Sequence, residues 1–519
     1  MLEHPLALAI IWTAAVLYIA TISLLAVYGL HSLWLLAKFL IHRRRAIPAP
    51  VAGDEVPAVL VQLPVFNERD VVERLVDAVG RLDWPRHRLR IQLLDDSTDD
   101  SAEIGARAID ALRACGLDAQ QVRRPHRIGF KAGALSYGLD EDARHRDGPA
   151  DYIAIFDADF VPPASFLRTA MASFLQPGAE RVAFVQGRWE HLNPDANLLT
   201  RAQAMGIDGH FAIEQGARAW SGMPLNFNGT CGIWRRQAIH DGGGWQHDTL
   251  TEDMDLSYRA QLAGWTAAYR LDVAVPGELP PTLEAWRSQQ FRWAKGSLQT
   301  ARKLLGRIWR SEWTLEHKCS ATFHMTHYLV HPLILTSLLL APLAMFALPD
   351  LPNWCLVVGG SMMAAGMAPP ILLYIASLRV LGRSWACLRA LPSLAALGTG
   401  IAVSNTKAAW QALRGVVSAF VRTPKVGASA TGSYRSAAAT GIPELCAGLW
   451  GLVAIITATA MGSWWLSPIL SMYVVGFVHH GLRLHLNRRA ALVAQAASSN
   501  PAPIAQPEAL PGEAEPAAT

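Results

Sequence analysis

The sequence is short of cysteine, nearly balanced in charge, and free of ionic side chains over long stretches. Its six cysteines (Cys115, Cys231, Cys319, Cys355, Cys387 and Cys446) are scattered over 519 residues without a CxxC pair. That spacing supports neither a disulfide framework nor a zinc site, and it suits a reducing compartment. The formal net charge is only +4. Basic residues gather beside hydrophobic segments instead of forming one basic face, so no nucleic-acid partner is expected. Between Pro5 and Ala37 there is no Asp, Glu, Lys or Arg. No Lys or Arg precedes that run, whereas Arg43, Arg44 and Arg45 follow it. A secretory signal places its positive charge first and has a shorter apolar core. The run therefore reads as an uncleaved membrane anchor, longer than the roughly 20 residues that cross a bilayer.

After a Pro/Ala linker (Ala46 to Pro57), short apolar runs alternate with amphipathic stretches. Ala58–Leu63, Leu89–Leu94, Tyr152–Phe156 and Val182–Val185 are predicted strands; Asp70–Gly80, Asp99–Cys115 and Ser165–Leu175 are predicted helices. The alternation predicts an α/β fold with a mostly parallel sheet covered by helices on both faces. Ligands of such sheets bind beyond the carboxyl ends of the strands.

From His327 the chain is apolar again. His327–Leu348, Trp354–Leu378, Ile442–Met461 and Trp464–Leu486 each have transmembrane length. The loop Pro349–Asn353 has no Lys or Arg and belongs outside, while Arg379, Arg383, Lys407, Arg414, Arg483 and Arg488 belong inside. These placements agree if Trp385–Ser404, broken by Pro392, Gly398 and Gly400, is interfacial or re-entrant. The expectation is five crossings in an inner or plasma membrane, with the soluble part cytosolic. The expected organisation is an anchor (1–45), a cytosolic α/β domain (46–282), interfacial helices (283–326), a helical membrane region (327–490) and a disordered Ala/Pro/Glu-rich tail (491–519).

Three acidic clusters stand out: Asp95-Asp96 and Asp157-Ala158-Asp159, each directly after a predicted strand, and Thr251-Glu252-Asp253 before a helical stretch. Singly, any of them is an ordinary helix cap or turn; together they suggest one site. Transfer from a nucleotide donor expels a diphosphate, and a divalent cation held by carboxylates offsets the charge that develops. Hard oxygen ligands favour Mg2+ or Mn2+ over zinc. A separate carboxylate accepts the proton of the attacking hydroxyl. Lys131, in Gly129-Phe130-Lys131-Ala132-Gly133, and Arg292, in Gln289-Gln290-Phe291-Arg292-Trp293, are candidate cations for the diphosphate. Each contributes about 4 kcal/mol at 4 Å and an effective dielectric of 20. Trp293 offers a flat face for a sugar ring, or alternatively marks an interfacial helix at headgroup level.

The phrases "VQLPVFNERDVVERLVDAVGRLDWP", "IQLLDDSTDD", "GFKAGAL", "YIAIFDADFVP", "FNGTCGIWR", "TEDMDLSYRAQLAGW" and "QQFRW" occur in this order. In these the chain resembles the processive family 2 glycosyltransferases of the cellulose synthase superfamily, and most of all the cellulose-synthase-like mannan and glucan synthases. The likeness is dense from Val59 to Trp293. It implies a GT-A fold and an inverting transfer of hexose from UDP-glucose or GDP-mannose to a growing β-linked polysaccharide, coupled to translocation.

By resemblance, Glu68 and Asp96 lie near the donor nucleoside and Lys131 near its diphosphate. Asp157 and Asp159 bind the metal–diphosphate, and Asp253 is the general base. Glu252, Gln289 and Trp293 face the acceptor, and Arg292 the donor diphosphate. Phe227, Asn228, Gly229 and Thr230 line the acceptor path. Phe420 to Lys425 resembles a gating loop touching the nucleotide through Thr423 and Lys425, although Arg422 replaces an apolar residue there. No cyclic-dinucleotide regulatory domain is expected. The alternative is a non-processive enzyme that glucosylates a ceramide or diacylglycerol acceptor. An accessory subunit or homo-oligomer is left open.

Overall fold

The computed structural model describes residues 4–418 and 439–498. Seven strands are present: β1 Val59–Val65, β2 Leu89–Asp95, β3 Asp118–Val122, β4 Tyr152–Ile155, β5 Val182–His191, β6 Gly232–Arg235 and β7 Thr266–Gly277. They form one sheet in the order β3-β2-β1-β4-β6-β5-β7. β1 is parallel to both β2 and β4, β2 to β3, and β5 to β7; β6 runs antiparallel to β4 and β5. This is the mostly parallel α/β sheet that the strand–helix alternation predicted. Buried helices cover both faces, which explains why the central strands read as unbroken apolar runs. In β4 the period of two is clear: Ala154 joins the core with Val61 and Leu75, and Ile153 and Ile155 join the opposite core with Leu135 and Phe184. Gln62 is fully buried within β1. Its amide nitrogen donates to Gln92 Oε1 (3.2 Å) and the Leu135 carbonyl (3.3 Å), while its Oε1 is buried without a hydrogen-bond partner.

The chain builds β1, β2 and β3 outward in one direction and then returns to lay β4 on the other side of β1. That reversal places the carboxyl ends of β1, β2 and β4 around one crevice. The register puts Val65 beside Asp95, and the Asp96 amide donates to the Val65 carbonyl. Strands β3, β6 and β7 extend the sheet beyond the four predicted strands. β3 is a polar edge strand without an apolar run, and β6 is four residues long.

Among the described residues, four helices are long and apolar enough to cross a membrane: Pro5–His42, Leu315–Met345, Asn353–Val380 and Ile442–Ala460. Trp385–Gly400 and Ala402–Leu413 form a pair bent by 44°, a broken span or a re-entrant loop. The last helix, Ser467–Ser498, carries His479, His480 and Arg483 and is not among the four. The first helix packs against Asn353–Val380 through small residues. A Cβ added at Gly29 would stand 2.0 Å from the Ala365 carbonyl oxygen, so only glycine permits this approach.

Ion pairs join the α/β unit to the apolar helices. Arg383, just beyond Asn353–Val380, binds Glu190 at the end of β5 and, at 3.2 Å, Asp208. Arg287 pairs with the buried Glu444 at 3.3 Å.

Candidate active site

One cavity lies at the carboxyl edge of the sheet, and most of the expected site residues line it: Glu68, Asp96, Lys131, Asp157, Asp159, Asn228, Gly229, Glu252, Asp253, Gln289, Arg292 and Trp293. Phe227 is fully buried and packs edge-on against Phe184 and Trp234, beneath the cavity instead of in its wall. Thr230 is also fully buried, and its hydroxyl accepts the Asp157 amide at 2.9 Å. Thr423, Lys425 and the rest of the gating-like segment lie outside the described residues.

On the donor side, Asp95 is structural. It accepts the Ser97 amide at 2.8 Å and binds Gln121 (2.7 Å) and Arg123 (2.8 Å), closing the turn after β2. Its neighbour Asp96 faces the cavity and receives a two-pronged contact from Arg124, with Nε to Oδ1 at 2.7 Å and Nη2 to Oδ2 at 2.6 Å. The Arg127 guanidinium stacks 3.4 Å from the Phe66 ring centroid and 5.0 Å from that of Phe130.

At the centre, Lys131 Nζ donates to Asp157 Oδ1 at 2.5 Å and to the Gly229 carbonyl at 2.8 Å. Lys131 opens the helix Phe130–Asp142, whose N-cap is Gly129 at φ +74°. Burial alone would pull the ammonium down; the carboxylates of Asp157, Glu252 and Asp253 outweigh it and leave the pKa of Lys131 raised. Among the described residues, three non-glycine residues have left-handed backbone: Asn67, Phe130 and Cys231. Each neighbours a cavity residue or the Thr230 that braces Asp157. Such strain commonly persists where surrounding structure holds a site in place.

Glu252 and Asp253 begin the helix Glu252–Leu262. Burial raises both carboxyls, and Glu252 beside Asp253 adds repulsion, so Asp253 is pushed up to about 7. Its Oδ1 accepts the Met254 amide at 2.7 Å. The other oxygen approaches Gly229: a Cβ there would stand 2.8 Å from Asp253 Oδ2, and the φ of +81° already favours glycine. Gln289, Arg292 and Trp293 project from one face of the helix Leu283–Arg310, at the spacing of neighbouring turns.

Trp189, Glu190, His191, Phe66 and Arg127 also line the cavity, and sequence reasoning missed them. Trp189 lies 6.3 Å from Trp293 and 5.1 Å from Phe160, centroid to centroid, completing an aromatic wall. The available signal was Trp189-Glu190-His191 just past the predicted Val182–Val185 strand, which in fact runs on to His191.

Glu190, His191 and Asp208 form a further acidic–imidazole group whose ligand atoms lie within 4.8 Å of one another. Arg383 and Arg188 already neutralise it, and His191 Nε2 is 2.9 Å from Asp208 Oδ1. Burial would raise the Glu190 carboxyl, but these two arginines hold it down at about 2. The group is accordingly an ion-pair junction. Asp157 and Asp159 fit a hard divalent cation better. They present only oxygen donors, both line the cavity, and Asp157 already faces a cationic group, the Lys131 ammonium.

Residues 61–242 match the family described as Glycosyl transferase family 2, and residues 152–378 match Glycosyl transferase family group 2. Glucomannan 4-beta-mannosyltransferase 7 of Arabidopsis thaliana is 38% identical over 305 residues, covering 57% of this chain and 54% of the relative. Glucomannan 4-beta-mannosyltransferase 1 of Oryza sativa subsp. japonica is 42% identical over 277 residues, covering 52% of each. The chain spans about half the length of the curated relatives it matches. Among solved structures, a mannosyltransferase from Pyrobaculum calidifontis in complex with GDP-Man and Mn2+ aligns with a TM-score of 0.48 and 20% identity, covering 70% of this chain and 97% of that one. Two family 2 glycosyltransferase models thus match overlapping parts of residues 61–378, and the similar plant proteins are glucomannan mannosyltransferases by name.

Proposed function

We propose that this is a membrane-embedded, inverting hexosyltransferase that moves mannose from GDP-mannose onto a growing β-linked glycan. The observation that carries it is the convergence of Asp157, Asp159, Lys131, Asp253, Arg292 and Trp293 on one cavity at the switch point of the sheet. Mannose is favoured over glucose by the mannosyltransferase names of the similar plant proteins.

The residues divide the work. Asp157 and Asp159 would hold Mg2+ or Mn2+ together with the diphosphate, where the ion offsets the charge of the leaving group. Lys131 and Arg292 add fixed positive charge on the same side, and it acts more strongly as the bond breaks. Asp253, buried and titrating near neutrality, accepts the proton of the acceptor hydroxyl. Trp293 and Trp189 present ring faces for the terminal sugar. Attack opposite the departing diphosphate turns an α-linked donor into a β-linked product, through an oxocarbenium-like state.

The apolar helices support membrane residence. Arg43–Arg45 after the first helix, Arg379 in the last turn of Asn353–Val380 and Arg383 just beyond it favour a cytosolic catalytic unit. Buried polar side chains within the helical part, among them Asn405, Thr399 and Ser404, favour passage of a glycan through it. The test is incubation of the lipid-reconstituted chain with radiolabelled GDP-mannose or UDP-glucose. Large product cut by a β-mannanase is expected from GDP-mannose; a solvent-extractable glycolipid as sole product would show the non-processive alternative instead.

A further inference from the structure

A second cavity, of about 360 Å³, opens where the first and third apolar helices meet the α/β unit. Four arginines from separate parts of the chain line it: Arg43 and Arg45 after the first helix, Arg188 on β5 and Arg270 on β7. Asp272 is its single acidic lining residue, and Asp272 is already committed to Arg270 by two contacts, Nε to Oδ1 at 2.9 Å and Nη2 to Oδ2 at 2.7 Å. Arg188 is held by Glu190 at 2.8 Å. Among the described residues no carboxylate forms an ion pair with Arg43 or Arg45. Arg45 instead lies over the Trp220 ring at 5.1 Å; it feels Arg270 as a like charge and, more weakly, Asp272 as an opposite one.

The remaining wall is apolar: Ile47, Trp220, Leu271, Val380 and Leu381. Ile47 is 60% exposed, and Val380 and Leu381 close the helix Asn353–Val380. An unbalanced double cation beside apolar side chains, at the carboxyl ends of two candidate membrane helices, fits a ligand that is anionic at one end and greasy at the other. Arg43 and Arg45 are themselves exposed, as an ordinary cytosolic flank requires, and the cavity they line adds a shaped apolar side.

We propose that this cavity binds the phosphate headgroup of an anionic membrane phospholipid. Arg43 and Arg45 hold the phosphate, and the first acyl carbons lie along Val380 and Leu381. The site rests on the reading of these helices as membrane spans, but not on the identity of the transferred sugar. Arg188 connects it to the catalytic cavity, because its partner Glu190 lines that cavity and also binds Arg383.

The test is equilibrium binding of short-chain phosphatidylglycerol to the detergent-solubilised full chain, with short-chain phosphatidylcholine and glycerol 3-phosphate as competitors. Saturable phosphatidylglycerol binding is expected, with weak competition by either molecule. Arg43→Gln/Arg45→Gln should weaken it about tenfold or more, while Arg43→Lys/Arg45→Lys retains most of it. Circular dichroism and thermal melting of both variants confirm folding. Equal binding to the glutamine variant, or phosphatidylcholine competing as well as phosphatidylglycerol, overturns the proposal. Competition by glycerol 3-phosphate as strong as that of the lipid also overturns it, in favour of a soluble-anion site. None of these readouts needs sugar transfer, so a chain inactive with GDP-mannose would leave this test intact and refute only the donor assignment.

Discussion

Lys131 Nζ sits 2.5 Å from Asp157 Oδ1, so one of the two candidate metal ligands is paired with the lysine expected to meet the donor diphosphate. The two roles are compatible in sequence: arrival of a cation and diphosphate gives the ammonium a new anionic partner and frees the carboxylate. Lys131→Ala should therefore lower the rate of transfer by about 10²-fold. Lys131→Arg should recover little, because a planar guanidinium does not substitute for a compact ammonium at this contact. Steady-state kinetics with saturating metal check this.

Titration of Asp253 gives a pH dependence with a defined sign. As the proposed base Asp253 works only when ionised, and burial with Glu252 beside it pushes its pKa up to about 7. Transfer should therefore rise with pH through about 7 and level off above. Stability should move the other way. Between the ordinary aspartate range and pH 7 the folded chain holds a proton that the unfolded chain has released, so stability falls as pH rises through that window. Asp253→Asn should accordingly melt higher than the parent at pH 8, with the difference fading toward pH 4, in thermal melts of the reconstituted protein.

Gly229 is needed for two reasons at once, its φ of +81° and the nearness of Asp253 Oδ2. Gly229→Ala should cost about 1–2 kcal/mol of stability through backbone strain. It should also displace Asp253, lowering kcat at least tenfold while the donor KM changes little. A melt and a kcat/KM split separate the two effects.

Arg383 ties the helices to the catalytic unit through Glu190 and Asp208. Arg383→Gln leaves two largely buried carboxylates short of a cation, a loss of about 3 kcal/mol. The Glu190 carboxyl, held at about 2 by its arginines, should then titrate higher. Its contribution to stability, present above the ordinary glutamate range, would be lost at a higher pH as acid is added. Acid-induced loss of detergent-solubilised fold, followed by circular dichroism, reports the shift.

How much of this was legible in sequence depended on periodicity. β1, β2 and β4 were readable because both faces are buried and the runs are uniformly apolar. β3 was not, since its polar Asp118-Ala119-Gln120-Gln121-Val122 lies at the sheet edge and is fixed by pairing with β2. Asp96, Asp157 and Asp159 could be found because the strand rule sends them to one edge, whereas Glu252 and Asp253 open a helix and meet them only through the fold. Trp189 and Glu190 could not, because they lie in the second half of β5, where alternation gives way to half-buried polar residues. The Arg124–Asp96 and Lys131–Asp157 pairs bridge 28 and 26 residues and depend on how loops close, which no local pattern encodes. The basic cavity is another such case. Arg43–Arg45 read as a cytosolic flank, and only the fold brings Arg188 and Arg270 beside them.

The most direct test is a paired measurement on Asp253→Asn: calorimetric binding of GDP with Mn2+, and transfer of mannose from GDP-mannose. A separate base and donor site predicts transfer reduced by at least 10²-fold with nucleotide affinity close to that of the parent. Equal loss of binding and transfer, or transfer left intact, would contradict Asp253 as the group that takes the acceptor's proton.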